Sequence, residues 1–223
     1  MKKFLKDNGL SLVLIGLFLL FLFGHSLAGY FDYNDEQREH HQPEINYGQY
    51  LVTGEFLESV AENWESEFLQ MGAFVIFATH LYQRGSSESK DPDTGKDESD
   101  EDPRKHRNDP DAPWPVKRGG WVLKLYEYSL SLGFLLLFLI SFVLHAVGGV
   151  KQYNAEQILH GQPTSTFFEF LGSAKFWYQS MQNWQSEFLA IASMVILSVF
   201  LRQRGSPESK PVAASSTDTG DED

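Results

Sequence analysis

The sequence contains no cysteine among its 223 residues. It therefore forms no disulfide framework, no thiolate metal site and no cysteine nucleophile. It also lacks an excess of positive charge, since 18 Lys and Arg stand against 30 Asp and Glu, a net charge of −12. This balance argues against nucleic acid as a partner, because phosphate backbones are bound by basic patches.

The short motifs of common enzymes are missing as well. The sequence has no nucleophile elbow, no phosphate-binding glycine loop and no pair of catalytic carboxylates. We therefore expect neither an enzyme nor an organic cofactor. A metal-dependent membrane enzyme is the enzymatic alternative that remains.

Apolar residues make up only 42% of the chain, but they are concentrated in four blocks: Leu10–Leu27, Phe68–Tyr82, Leu130–Val147 and Phe188–Leu201. The first and third blocks have about 18 residues, a helix of roughly 27 Å, which is close to the thickness of a bilayer core. The other two are shorter, and they reach a spanning length only when Trp64 and Trp184 are included as anchors at the membrane interface. We predict an all-α integral membrane protein with four transmembrane helices.

Lys and Arg residues favour one orientation of these helices. They are concentrated before the first block, between the second and third, and after the fourth, whereas the other two loops hold only Arg38, Lys151 and Lys175. The positive-inside rule then places both termini in the cytoplasm. The basic, apolar start resembles a signal peptide, but an equivalent segment recurs in the middle of the chain, so we interpret it as a retained helix.

The second half of the sequence repeats the first at an offset of 120 residues without a gap. Of the 66 positions from His25 to Lys90, 27 are identical to their counterparts, and most of these are polar. Each copy has two predicted spans, so both copies have the same orientation. The sequence therefore predicts a four-helix bundle made of two tandem two-helix repeats related by a pseudo-twofold axis along the membrane normal.

This duplication defines the predicted domains. Residues 1–86 and 119–205 are the two membrane repeats, residues 87–118 form an acidic cytoplasmic linker, and residues 206–223 form an acidic tail. The linker and the tail have almost no apolar residues to bury, so we predict that both are disordered. Helix ends have their own signals: Thr53 and Ser173 as N-caps, and Gly85 and Gly205 as C-caps.

Four ionisable residues are predicted at one depth inside the membrane, near its outer face: His25, Glu67, His145 and Glu187. Such residues normally pair with one another or line a polar cavity. The first interpretation is a His–Glu hydrogen bond in each half. The alternatives are an ion-conducting layer and a site for a divalent transition metal, which two His and two Glu can ligate.

A second polar set lies in the predicted outer loops and occurs in both copies: Tyr33, Asn34, Glu36, Gln37, His40 and Gln42, matched by Tyr153, Asn154, Glu156, Gln157, His160 and Gln162. Glu and His stand four residues apart in each copy, so they are neighbours on a helix face. This is half of a metal or acid–base site, or a helix surface that docks onto its twin.

The repeated Tyr-Asn-x-Glu-Gln, Asn-Trp-x-Ser-Glu-Phe-Leu and Gln-Arg-Gly-Ser-x-Glu-Ser-Lys signatures resemble a family of small bacterial membrane proteins with a domain of unknown function. The resemblance covers the chain except the linker and the tail. It implies a location in the bacterial cytoplasmic membrane and no particular activity.

We therefore expect a structural or interaction protein surrounded by the lipid bilayer, with a second copy or another membrane protein as its partner. The alternative is a transporter or channel for an ion or small solute that uses the His/Glu layer.

Overall fold

A computed structural model describes residues 2–94 and 98–220 of the chain. Within those residues the structure is helical and contains no strand, which confirms the all-α class. The chain divides into two compact units, residues 1–61 with 144–173 and residues 62–143 with 174–223.

Long helices alternate with short ones. The helices are α1 Lys2–Asp7, α2 Gly9–Glu39, α3 Tyr47–Tyr50, α4 Gly54–His80, α5 Trp114–Arg118, α6 Gly120–Glu127, α7 Ser129–Leu159, α8 Phe167–Leu171 and α9 Ala174–Phe200. Helices α2 and α7 have 31 residues each, and α4 and α9 have 27 each. Both ends of α7 lie 120 residues after those of α2, and both ends of α9 lie 120 residues after those of α4.

The first and third apolar blocks belong to helices that are longer than predicted. Helix α2 continues past Leu27 to Glu39, and α7 continues past Val147 to Leu159. The segments added contain no proline, so nothing in them removes an intrahelical hydrogen bond. The first part of the second polar motif therefore lies on the last turns of two helices, and its prediction as a loop is wrong there. The last two residues of the motif follow the helix ends in both copies: His40, Gln42, His160 and Gln162.

Among the residues that the structure describes, three helices are long and apolar enough to cross a membrane: α2, α7 and α9. Helix α4, the predicted second span, is not among them. It has the same length as α9, but its first fourteen residues include five glutamates, at positions 55, 58, 62, 65 and 67. Three of the four predicted spans are thus long and apolar enough to cross a membrane, and the second is not.

The linker and tail contain local structure in the part of the chain that is described. Short 3₁₀ helices cover Glu98–Asp100 and Pro103–His106. The Lys90 ammonium donates a hydrogen bond to Asp100 Oδ1 at 2.6 Å. Disorder in residues 87–118 and 206–223 therefore has no support from the structure; residues 95–97 and 221–223 lie outside the described residues.

The predicted C-cap glycines lie beyond the helices. Helices α4 and α9 end at His80 and Phe200, five residues before Gly85 and Gly205. Both glycines do have a positive φ, 85° and 83°. Each has this conformation in a turn that follows the helix, and the hydroxyl of Ser89 or Ser209 accepts a backbone hydrogen bond within that turn. The prediction of helix C-caps is therefore wrong.

Candidate functional site

The start of α4 brings two glutamates, Glu55 and Glu58, into the first unit. Thr53 caps this helix, because the Phe56 N–H donates to Thr53 Oγ1 at 3.2 Å. The N-cap predicted at Thr53 is confirmed. Glu55 and Glu58 follow within the first two turns, where carboxylates interact favourably with the helix dipole.

Glycines bring the start of α4 very close to the backbone of α7. A Cβ atom on Gly54 would lie 2.8 Å from the Gly148 carbonyl oxygen and 2.6 Å from the Gln152 nitrogen. A Cβ atom on Gly148 would lie 2.5 Å from the Glu58 nitrogen. Small residues allow two helices to approach in this way, and here they bring the α4 glutamates against α7.

Glu55 is held at this crossing by α7. The Gln152 amide Nε2 donates to Glu55 Oε2 at 3.2 Å. Burial raises the pKa of Glu55 to about 7, with further contributions from the negative charges of Glu36, Asp32, Glu58 and Glu156. The carboxyl group of Glu55 therefore titrates near neutral pH, unlike an ordinary glutamate.

The two asparagines of the repeated motif hold the chain after each helix. Asn34 Nδ2 donates to the Ile45 carbonyl at 3.0 Å, and the Ile45 N–H donates to Asn34 Oδ1 at 2.9 Å. Asn154 makes the same pair of bonds with Ser165, at 2.9 and 2.7 Å. Each asparagine thereby satisfies both backbone groups of a residue that is eleven positions later, which is a structural task.

Other members of the motif form ring contacts. Tyr33 lies 5.7 Å from Tyr50 between ring centroids. In the second copy, Tyr153 lies 5.6 Å from Phe170. His40 and His160, which follow the ends of α2 and α7, meet each other edge to face with ring centroids 6.3 Å apart.

The two histidines of the predicted His/Glu layer have different surroundings within the first unit. His25 is exposed, and its Nε2 lies 3.0 Å from Ser59 Oγ, so a serine takes the place of the predicted glutamate. His145 is completely buried, with 0% exposure. In the second unit, Glu67 is exposed and Glu187 is half-buried.

No group of three or more His, Asp or Glu side chains in the described ranges is arranged to hold a metal ion. The divalent metal predicted at the His/Glu layer thus has no geometric support in residues 2–94 and 98–220. It stays a hypothesis from the sequence.

A buried glutamate that the sequence analysis missed connects two helices of the second unit. Glu65 on α4 has 0% exposure and accepts a hydrogen bond from Trp184 Nε1 on α9 at 3.0 Å. Gln70 Nε2 donates to the Glu187 carbonyl oxygen at 3.2 Å. Trp184, predicted as a membrane-interface anchor, thus directs its indole N–H to a protein carboxylate; Trp64 is half-buried, and its role as an anchor stays a prediction.

Comparison with known proteins places the chain in one family. The sequence matches the family described as "Domain of unknown function (DUF6766)" over residues 1–221, a range that includes the linker and most of the tail. The match thus extends beyond the segments that carry the repeated signatures. No curated protein and no solved structure matches the chain. With this match over nearly its full length, the chain belongs to the DUF6766 family of unknown function.

Proposed function

We propose that the protein is a multi-pass membrane protein with a structural or interaction role, built as a four-helix bundle from two tandem two-helix repeats. The observation that carries this proposal is the exposure of its apolar helices. At most 17% of the apolar window of α2, α7 or α9 is buried within the protein. Apolar surface of this extent needs lipid around it, because soluble proteins do not leave such long apolar helices in contact with water.

Helix α4 is the fourth span in this proposal, although it is less apolar than the others. Two of its polar side chains are hydrogen-bonded to α9, through the Glu65–Trp184 and Gln70–Glu187 bonds. A polar group inside the membrane is tolerated when it is paired with another helix in this way. Four other glutamates belong to α4. Those at positions 55, 58 and 62 lie near its start, which this proposal puts outside the bilayer core, and Glu67 follows two residues after Glu65.

The orientation rests on Lys and Arg placement. Both termini and the linker lie in the cytoplasm in this proposal, and the α2–α4 and α7–α9 connections face outward. The bacterial cytoplasmic membrane is the location implied by the resemblance of the repeated signatures.

A structural role is favoured over transport by the use of the polar groups in the described residues. His25, Glu65 and Gln70 each bond to a neighbouring helix. Groups engaged in helix–helix hydrogen bonds hold a bundle together, whereas an ion path needs them to face water. The transporter or channel that uses His25, Glu67, His145 and Glu187 is the alternative.

Two measurements test the proposal. Membranes from expressing cells are washed with alkaline carbonate, and an integral protein stays in the membrane pellet. Purified protein is then reconstituted into liposomes, and K⁺, Na⁺ and proton fluxes are compared with those of empty liposomes and of the variant E187Q. We expect retention in the pellet and no flux above empty liposomes. Release by carbonate contradicts membrane integration, and a flux that E187Q removes would establish the transporter.

A further inference from the structure

The repeated Gln-Arg-Gly-Ser-x-Glu-Ser-Lys sequence forms the same turn twice in the second unit, at residues 83–90 and 203–210. The Ser86 N–H donates to the Gln83 carbonyl at 3.1 Å, and the Ser206 N–H donates to the Gln203 carbonyl at 3.2 Å. The glycine at the third position has φ of 85° in one turn and 83° in the other. This is the geometry of a type II β-turn, which requires glycine there because a side chain disfavours positive φ. We call the two segments the first turn and the second turn.

Serine hydroxyls fix both turns identically. Ser89 Oγ accepts from the Gln83 N–H at 2.8 Å and donates to the Lys90 carbonyl at 3.0 Å. Ser209 Oγ makes the same two bonds, with the Gln203 N–H at 2.9 Å and with the carbonyl of Lys210 at 3.1 Å. The two turns therefore present the same backbone donors and acceptors in the same arrangement.

The first turn is covered by other parts of the chain. The Gly85 N–H donates to Thr219 Oγ1 at 2.8 Å, and the Gly220 N–H donates to the Ser86 carbonyl at 3.0 Å. Gly85 and Ser86 are both buried. A Thr-Gly pair of the acidic tail thus docks on the glycine and serine of the turn, with one bond in each direction.

The arginine of the first turn binds a carboxylate. Arg84 donates from both terminal nitrogens to the two carboxylate oxygens of Asp93, each at 2.7 Å. This two-point geometry gives an arginine–carboxylate pair more directional specificity than a single bond. The first turn therefore recognises two things, a carboxylate at Arg84 and a Thr-Gly pair at Gly85 and Ser86.

The second turn presents the same groups to an open cavity. Gly205 is exposed, and no described atom lies within 4 Å of a Cβ atom built on it. Arg204 is also exposed, and in the described part of the chain its side chain has no hydrogen bond or ion pair. A cavity of about 530 Å³ lies against this turn, and Pro211 and Val212 contribute to its wall.

Lys210 also lines this cavity, but its charged group is turned to other parts of the chain. Its ammonium is buried and donates to the carbonyls of Ser215, Ser216 and Asp218, at 3.0, 3.4 and 2.7 Å. This bonding shapes the tail that docks on the first turn. Arg204 is therefore the cation available for a ligand at the second turn.

We propose that the second turn is a binding site for an acidic peptide segment that carries a Thr-Gly pair. The peptide places a carboxylate on the Arg204 guanidinium, its threonine hydroxyl on the Gly205 N–H and its glycine N–H on the Ser206 carbonyl. The first turn binds the same groups from two segments of the chain, the carboxylate of Asp93 and the Thr-Gly pair of the tail. The cavity at the second turn leaves space for one peptide that carries both. The site does not depend on the membrane role proposed above.

A direct binding measurement tests this site in the full chain. A fluorescein-labelled peptide with the sequence of residues 214–223 is titrated with detergent-purified protein, and the fluorescence anisotropy is followed. We expect saturable binding of one peptide per chain. Because the arginine–carboxylate pair is charge-assisted, R204Q weakens the affinity about tenfold. The matched variant R84Q changes it less than about twofold, because Arg84 belongs to the covered first turn.

The peptide itself supplies a second test. A peptide with Thr219→Val keeps its size but lacks the hydroxyl, and we expect it to bind about fivefold more weakly. Because R204Q alters an exposed side chain, its circular dichroism spectrum and melting temperature should match those of the wild type. If the protein self-associates and R204Q abolishes this association, the result also supports the site. It then identifies a second copy of the chain as the source of the peptide segment.

Two results would overturn the proposal. The first is the absence of saturable binding, or equal affinity in the wild type and R204Q. The second is binding that R84Q removes and R204Q does not, since this places the peptide on the first turn in exchange with the chain's own tail.

Discussion

The two halves of the chain have matching helices and matching local hydrogen bonds, yet they differ in the residues that decide longer-range contacts. Asn34 and Asn154 make equivalent bonds, and so do Ser89 and Ser209. In contrast, α4 has five glutamates where α9 has only Glu187 in addition to its single lysine. Residues that are identical in the two halves therefore build the local fold of each half. Residues that differ make the contacts that occur in only one half.

The crossing of α4 with α7 is one such difference. Gly148 permits it, whereas its counterpart in the first half is Ala28. Glu55 lies at the same crossing, and its counterpart in the second half is Lys175. The two halves thus share matching helices, whereas this titratable group is present in only one of them.

The largest expected effect is that of Gly148→Ala. A Cβ atom there lies 2.5 Å from the Glu58 nitrogen, a backbone atom that cannot move aside without shifting α4. We expect a loss of about 2–3 kcal/mol in the free energy of unfolding, typical of overpacking, measured by denaturant titration in detergent with circular dichroism. Gly24→Ala is the matched control, because no described atom lies within 4 Å of its Cβ position; it should stabilise by at most about 1 kcal/mol. Equal effects of the two substitutions contradict the close crossing.

The asparagines test whether the halves fold equivalently. Asn34→Ala and Asn154→Ala each remove two hydrogen bonds, so each should lower the free energy of unfolding by about 2 kcal/mol. The loss should be larger for Asn34, which is only 4% exposed. Effects that add in the double variant indicate independent sites. A neutral Asn154→Ala shows that the second copy does not depend on this bond pair.

Trp184→Phe tests the bond between α4 and α9. It keeps a smaller aromatic ring in place of the indole but removes the hydrogen bond to the buried Glu65 at 3.0 Å, so we expect a loss of about 1–2 kcal/mol in the same titration. Trp177→Phe is the control, since the structure gives Trp177 contacts with the rings of Phe142 and Phe176. A loss for Trp177 as large as that for Trp184 would assign the effect to ring packing.

The smallest expected effect is on the pH dependence of the free energy of unfolding, to which Glu55 contributes in the first half only. Its pKa is raised from 4.5 to about 7 in the folded protein, so the folded state holds a proton that the unfolded state releases between those values. The contribution of Glu55 to the free energy of unfolding therefore falls as the pH rises from about 4.5 to about 7, and it is constant above that range. Glu55→Gln should be more stable than the wild type by about 1 kcal/mol at pH 8, allowing for solvent screening, and equal to it at pH 4.5.

Unfolding titrations across that pH range check this prediction. Glu39→Gln, at the exposed end of α2, is the control and should leave the wild-type pH dependence unchanged. If Glu55→Gln leaves it unchanged as well, the shift in the pKa of Glu55 does not contribute to stability.

The sequence predicts the helices of this protein well and their contacts less well. Apolar blocks and the offset of 120 residues locate the long helices, and Thr53 marks the start of α4. The sequence could not indicate that Glu65, rather than Glu67, is buried. Two residues along a helix differ in direction by about 200°, so the choice depends on which face packs against α9.

The polar contacts of the tail could not be predicted for a related reason. Its composition is that of a disordered segment, since few apolar residues are present to bury. The structure fixes it with polar contacts, through Lys210, Thr219 and Gly220. The repeated turn sequence could have indicated the two turns, because both copies keep the hydrogen-bonding residues, but it could not indicate which turn the tail covers.

The most direct test of the central claim, that the two halves cross the membrane in the same orientation, is single-cysteine labelling, for which this cysteine-free chain needs no background substitutions. The sites are Val52 and Phe168 for the outer connections, and Trp114 and Val212 for the linker and the tail; all four are at least 63% exposed. Intact cells are treated with a membrane-impermeant maleimide and compared with permeabilised cells. The account predicts that Val52→Cys and Phe168→Cys react in intact cells, and that Trp114→Cys and Val212→Cys react only after permeabilisation. If Val52→Cys and Phe168→Cys react from opposite sides, the halves do not share an orientation and the account is wrong.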